Sequence, residues 1–98
     1  MPTYTVSEEA IDDLQNIWDF ISADNEIAAD RVLNELFEAF QQLAEMPGMG
    51  HTRRDLTRRD VRFWPLRSYL IVYRDRPLPL QIVAVLHGAQ DVPSIIEE

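Results

Sequence analysis

Residues 61–91 read VRFWPLRSYLIVYRDRPLPLQIVAVLHGAQD, three short apolar runs separated by turn chemistry. Each run is rich in β-branched and aromatic side chains, so the stretch predicts a three-stranded antiparallel meander. The expected strands cover residues 61–66, 69–74 and 80–87, joined by Arg67-Ser68 and by residues 75–79, with Gly88 ending the last. Arg62 and Arg74 fall inside otherwise apolar strands. A guanidinium in that position must reach water, a carboxylate or an anionic ligand, which makes these two the first candidate functional residues.

Upstream, residues 4–6 form a short strand candidate that stops at Ser7, a good helix N-cap, with Glu8 and Glu9 favourably placed in the first turn. Ala10, Ile11, Leu14, Ile17, Trp18 and Ile21 then recur at helical spacing against a polar face. Residues 22–26 break that helix. A second, wider apolar stripe runs from Ala28 through Leu33, Phe37 and Phe40 to Ala44, and Met46-Pro47-Gly48 ends it. Trp18 and Phe40 are expected in the core. Residues 49–60 are polar and basic, an irregular segment with two Arg-Arg pairs, Arg53-Arg54 and Arg58-Arg59. The order is β-α-α-β-β-β, an α+β domain in which a helical hairpin packs on a small antiparallel sheet.

At 98 residues, with no repeat or linker, the chain is expected to be one domain over residues 1–98. It has no cysteine, so disulfides and thiolate metal sites are excluded. The opening MPTYTV carries no basic, apolar leader and no run approaches the length of a membrane span, which predicts a cytoplasmic protein with no membrane partner.

The net charge of −8 is unevenly divided. Residues 1–50 hold 11 acids against Arg31 alone, whereas residues 51–76 hold 8 arginines against Asp55, Asp60 and Asp75. Every basic residue is Arg. The clustering suits bidentate contacts to carboxylate or phosphate. Strand alternation puts Trp64 on the same side as Arg62, where an exposed aromatic beside arginine suits a binding surface. Direct nucleic-acid binding through residues 51–76 is possible chemistry, but the acidic first half repels polyanions at long range.

Several local patterns occur in order: Ser7-Glu8-Glu9-Ala10, the helix ending Asp19-Phe20-Ile21, Ala28-Ala29, LAEMPGMG at residues 43–50, Arg62, SYLIVYR at residues 68–74 and VLHGAQD at residues 85–91. Together they resemble the RelE/ParE superfamily of toxins from bacterial type II toxin–antitoxin modules, closest to the ParE branch, over nearly the whole chain. Two departures stand out. Gln90 stands where the pattern commonly has Arg, and the chain is acidic where such toxins are usually basic.

The resemblance implies a toxin held by a cognate ParD-like antitoxin in a hetero-oligomer, needing no cofactor and no metal, with a possible short C-terminal helix. ParE-branch members act on DNA gyrase; RelE-branch members cleave mRNA in the ribosomal A site, and an inactive antitoxin-binding relative is a third possibility. Gyrase inhibition needs only a surface, for which Arg53, Arg54, Arg58, Arg59, Arg62, Trp64, Arg74 and His87 are the candidates. RNA cleavage needs a base, an acid and cations, and the only set on offer is Arg62 and Arg74 as a phosphate clamp with His87 as acid or base. Tyr69 and Tyr73 are weaker proton donors, and His51 is the other imidazole. The bland alternative has Arg62 and Arg74 paired with acids from the helices and His87 hydrogen-bonded at a strand end. The antitoxin is expected to fold onto leftover apolar residues of the helical hairpin or to add a strand at a sheet edge, with basic residues opposite Asp12, Asp13, Asp19, Glu35 and Glu38.

Overall fold

A computed structural model describes residues 3–87. The elements are β1 (Tyr4–Val6), α1 (Glu8–Ser22), α2 (Glu26–Glu45), a single 3-10 turn (Pro47–Met49), β2 (Arg62–Leu66), β3 (Tyr69–Arg74) and β4 (Leu80–His87). The strands form one sheet in the order β1-β4-β3-β2. The meander pairs antiparallel as expected, but β1 joins β4 in parallel, so the sheet is mixed rather than antiparallel. That follows from the long helical excursion between β1 and the meander, which brings the chain back to run alongside its own start. The expected C-terminal helix and Gln90 lie outside the described residues.

Ser7 performs the change from strand to helix. Its backbone N–H donates to the Ile82 carbonyl at 2.9 Å, continuing the β1–β4 ladder, while its Oγ accepts from the Ala10 N–H at 3.1 Å as the N-cap of α1. The same hydroxyl donates to the Val83 carbonyl at 2.8 Å. Val83 is the extra residue of a β-bulge, since Val72 pairs with Ala84 and Tyr73 with Ile82. The bulge changes which residues meet the helices. Regular alternation would continue from Leu80 and Ile82 to Ala84 and Leu86; instead Val85 joins the helix-side core, and Ala84 and Leu86 turn to the opposite face.

The helix-side core holds Leu36, Phe40 and Leu43 of α2 against Ile71, Tyr73 and Ile82 of the sheet, all fully buried. Phe40 is core as predicted. The opposite face is buried as well. Val61, Phe63, Val72, Ala84 and Leu86 form a second cluster with Leu56 packed on it, and Thr57 beside Leu56 is buried. The basic segment is therefore anchored to the back of the sheet through Leu56 and Thr57.

The outer edge of β2 is blunted. Phe63 exchanges both backbone hydrogen bonds with His51, at 2.7 and 2.9 Å, and Pro65 has no N–H to offer. An added strand is thus disfavoured at this edge. Between β2 and β3, Arg67 has φ 55°, uncommon for a non-glycine residue, and its guanidinium donates from Nε and Nη2 to the Glu35 carboxylate, both at 2.6 Å, tying the turn to α2.

Removing the Ser7 hydroxyl takes away a helix cap and leaves the bulged Val83 carbonyl without this donor. Ser7→Ala should lower the unfolding free energy by about 1–3 kcal/mol in a denaturant titration, with the denaturant slope unchanged.

Candidate functional site

The residues proposed from sequence as one catalytic set are dispersed. Arg62 is opposite Tyr73 in the β2–β3 register, so it shares the helix-side face with Tyr73, whereas Arg74, the next residue along β3, points to the back. Arg62 Nη1 donates to the Gly50 carbonyl at 2.9 Å and Nε to Asp75 at 3.2 Å. Its carboxylate partner comes from the β3–β4 connection and not from the helices. Arg74 instead donates to Gln81 Oε1 at 3.1 Å. His87 pairs with Tyr69 at the far end of the same strands, about 16 Å along β3 from Arg74 at the usual rise per residue. No phosphate could touch all three.

Tyr73 is structural. Its ring is fully buried, its hydroxyl donates to the Pro47 carbonyl at 2.7 Å and accepts from the Gly50 N–H at 2.8 Å, and burial pushes its pKa above the ordinary phenol value. That removes it as a proton donor near neutrality. Gly50 is required by this contact, because a Cβ there would lie 2.5 Å from the Tyr73 hydroxyl. Trp64, expected as an exposed aromatic, is half-buried against the helix-side core. It shares a face with Arg62 as alternation predicts, but that face is the packed one.

The arginine loop is also partly committed. Arg53 forms a bidentate pair with Asp55, at 2.9 and 2.7 Å, and Arg54 donates to the Arg58 carbonyl at 2.9 Å. Arg59 differs. It is half-buried and lines a cleft of about 600 Å³ together with Arg74, Ser7, Glu8, Glu9 and Gln81.

His87 is exposed and lines a smaller cleft of about 210 Å³ with Asp13, Asn16, Ile17, Phe20 and Tyr69. Its ring meets Tyr69 edge-on at 5.7 Å. Asp13 is held there by the Val85 N–H, which donates to it at 2.9 Å past the bulge, where β1 no longer covers β4. Burial raises the Asp13 pKa, and the neighbouring Glu9 and Asp12 add to the rise, while the Val85 hydrogen bond opposes it.

An apolar groove of about 430 Å³ runs along the hairpin, walled by Val6, Ile11, Leu14, Trp18, Leu33 and Phe37. Ile11 is 54% exposed and Phe37 42%. Trp18, expected in the core, is only half-buried here, with its indole N–H fixed on Asp30 at 2.9 Å. The signal for this groove was the width of the α2 stripe, which carries more apolar positions than one sheet face can cover. Of the acidic face expected around it, Asp13 and Glu35 are engaged within the molecule by Val85 and Arg67, leaving Asp12, Asp19 and Glu38 exposed.

Among the described residues no group of His, Asp and Glu is placed to hold a metal ion, and no helix is long and apolar enough to cross a membrane. A family model described as ParE toxin of type II toxin–antitoxin system, parDE, matches residues 4–92. No curated protein sequence matches the chain. Among solved structures, a chain of the chromosomal ParDE toxin–antitoxin system from P. aeruginosa shares the fold, with a TM-score of 0.74 and 19% identity over 89% of this chain and 96% of that one.

The raised Asp13 pKa has a defined sign. The folded state holds this proton more tightly than the unfolded state, so the contribution of Asp13 to stability is greatest in acid and falls as pH rises from the ordinary aspartate value through the folded one. Asp13→Asn keeps an oxygen for the Val85 N–H and removes that slope, so its unfolding free energy relative to the parent should rise with pH across this window. Asp13→Ala, which strands the N–H, should cost about 1 kcal/mol.

Proposed function

We propose that this chain, which belongs to the ParE toxin family of type II toxin–antitoxin systems, blocks replication by binding DNA gyrase in the cytoplasm and is silenced by a cognate antitoxin in a hetero-oligomeric complex. The observation that carries the gyrase reading is the dispersal of Arg62, Arg74 and His87 over two faces and two ends of the sheet. Cleaving RNA requires a base, an acid and a cation converging on one phosphate. Inhibition by binding makes no such demand. Ribosome-dependent mRNA cleavage is the reading that this geometry disfavours.

The hairpin groove supports the second half of the proposal. A segment without a core of its own gains most by laying an amphipathic helix into a preformed apolar channel, and Ile11 and Trp18, two turns apart on α1, line this one together with Phe37 of α2. The exposed carboxylates Asp12, Asp19 and Glu38 favour an antitoxin helix with basic residues along its flanks. The blunted β2 edge gives strand addition less support on that side of the sheet.

Pulse labelling just after induction without antitoxin tests the target. Thymidine incorporation should stop first while methionine incorporation continues; the opposite order would establish the ribosome as the target, and growth without change in either would mark an inert relative.

The groove is tested separately. Ile11→Glu combined with Phe37→Glu should weaken antitoxin binding by about 3 kcal/mol, more than a hundredfold, with growth arrest retained and no longer rescued by the antitoxin. Binding that is indifferent to both changes would place the antitoxin elsewhere.

A further inference from the structure

The chain carries 17 acidic residues, and among the described residues three of its nine arginines are seen to pair with one: Arg53 with Asp55, Arg62 with Asp75 and Arg67 with Glu35. The other arginines are exposed except Arg59 and Arg74. Both are half-buried in the same cleft behind the sheet, and among the described residues neither lies within ion-pair distance of a carboxylate. Among the described residues, the side-chain acceptor seen on either is the neutral amide oxygen of Gln81. Half-buried guanidinium groups that have lost part of their hydration gain most from a planar anion delivered by a partner.

The geometry points to this cleft as an anchor for an Asp or Glu side chain presented by a protein target. The inference rests on the toxin reading only in supposing that the target is a protein. Glu8 and Glu9 line the same cleft, so its local charge is balanced. A single carboxylate adds one negative charge to that balance, whereas a nucleic-acid duplex brings one about every 3.4 Å of its axis on each strand and sets further charges against those glutamates. The acidic first half of the chain adds to that penalty. A neighbouring depression shares Arg74 and Gln81 and is bordered by Pro77, Leu78 and Pro79, with Leu78 74% exposed. The segment that fits is therefore an acidic residue close in sequence to an apolar one.

The test follows the arginine Nε–Hε and backbone amide signals of the full-length, nitrogen-15-labelled chain during titration with a capped Gly-Glu-Leu-Gly peptide and, separately, with an oligothymidylate. The peptide should shift the Arg59 and Arg74 side-chain signals and the Gln81 and Val83 amides with a dissociation constant of about a millimolar, and in the double variant Arg59→Gln, Arg74→Gln those two amides should no longer respond, at an unchanged melting temperature. In cells the same variant should need at least about tenfold more inducer to arrest growth, the loss expected from even one charge-assisted contact.

No shift with the peptide, or equal shifts at Arg53, Arg54 and Arg58, overturns the inference. Tighter binding of the oligothymidylate at Arg59 and Arg74 replaces it with a nucleic-acid site. Undiminished arrest by a folded double variant removes the cleft from target recognition. Because the peptide titration uses no gyrase, failure of the gyrase reading and failure of this inference are read from different experiments.

Discussion

The Tyr73 hydroxyl is the point through which the sheet, the end of α2 and the basic segment are tied together. An aromatic ring buried in the helix-side core must satisfy its oxygen, and here it does so by donating to Pro47 and accepting from Gly50, the two residues that carry the chain away from α2. The oxygen approaches so closely that only glycine fits at position 50. Gly50 then presents its carbonyl to Arg62, and Arg62 reaches Asp75. Four separate parts of the chain are fixed by one connected set of hydrogen bonds in a setting where an unpaired polar group would cost a few kcal/mol. One of the two arginines that the sequence offers as a phosphate clamp is thus bonded into the scaffold.

The unequal division of charge takes on a structural meaning in this fold. Ten of the 17 acids lie on the two helices and four of the nine arginines in the segment behind the sheet, while Arg67–Glu35 joins a helix acid to an arginine of the β2–β3 turn. Inside that segment Arg53 pairs with Asp55; both partners stay well exposed, and the pair orders the loop more than it stabilises the fold. The loop is held on its inner side by Leu56, packed on the second core, with Thr57 buried beside it. Basic side chains are thereby displayed from a fixed platform, at a smaller entropic cost on binding than a free loop would incur.

Much of this was legible in the sequence. The bounds of β1, β3 and β4, the Ser7 cap and the helical hairpin follow from apolar spacing and turn residues, and β2 differs by one residue at its start. The separation of Arg62 from Arg74 was legible too, from the length of the Arg67-Ser68 turn. A two-residue connection pairs Leu66 with Tyr69 and therefore Arg62 with Tyr73, which leaves Arg74 on the other face. The bulge at Val83 was not legible. It depends on Ser7 and Asp13 supplying hydrogen bonds from 76 and 72 residues away, and no local pattern announces it. For the same reason the second core was missed: Leu56 lies alone in a polar segment, and only the folded sheet shows the surface it covers.

The groove and the arginine cleft lie on different sides of β1, yet they share a wall. Val6 lines both, one residue before Ser7 turns the chain into α1. An amphipathic helix in the groove is about 10 Å across with its side chains, and it would rest on the same Val6 that borders the cleft. On the readings proposed above, an occupant of the groove and a target seated on Arg59 and Arg74 would compete by volume, without any change in the shape of the toxin. A rigid scaffold favours such a device. With Ser7 bonded to both Ile82 and Val83, the edge between the two sites cannot shift without breaking the cap and the ladder together, so silencing by direct obstruction costs less than silencing by rearrangement.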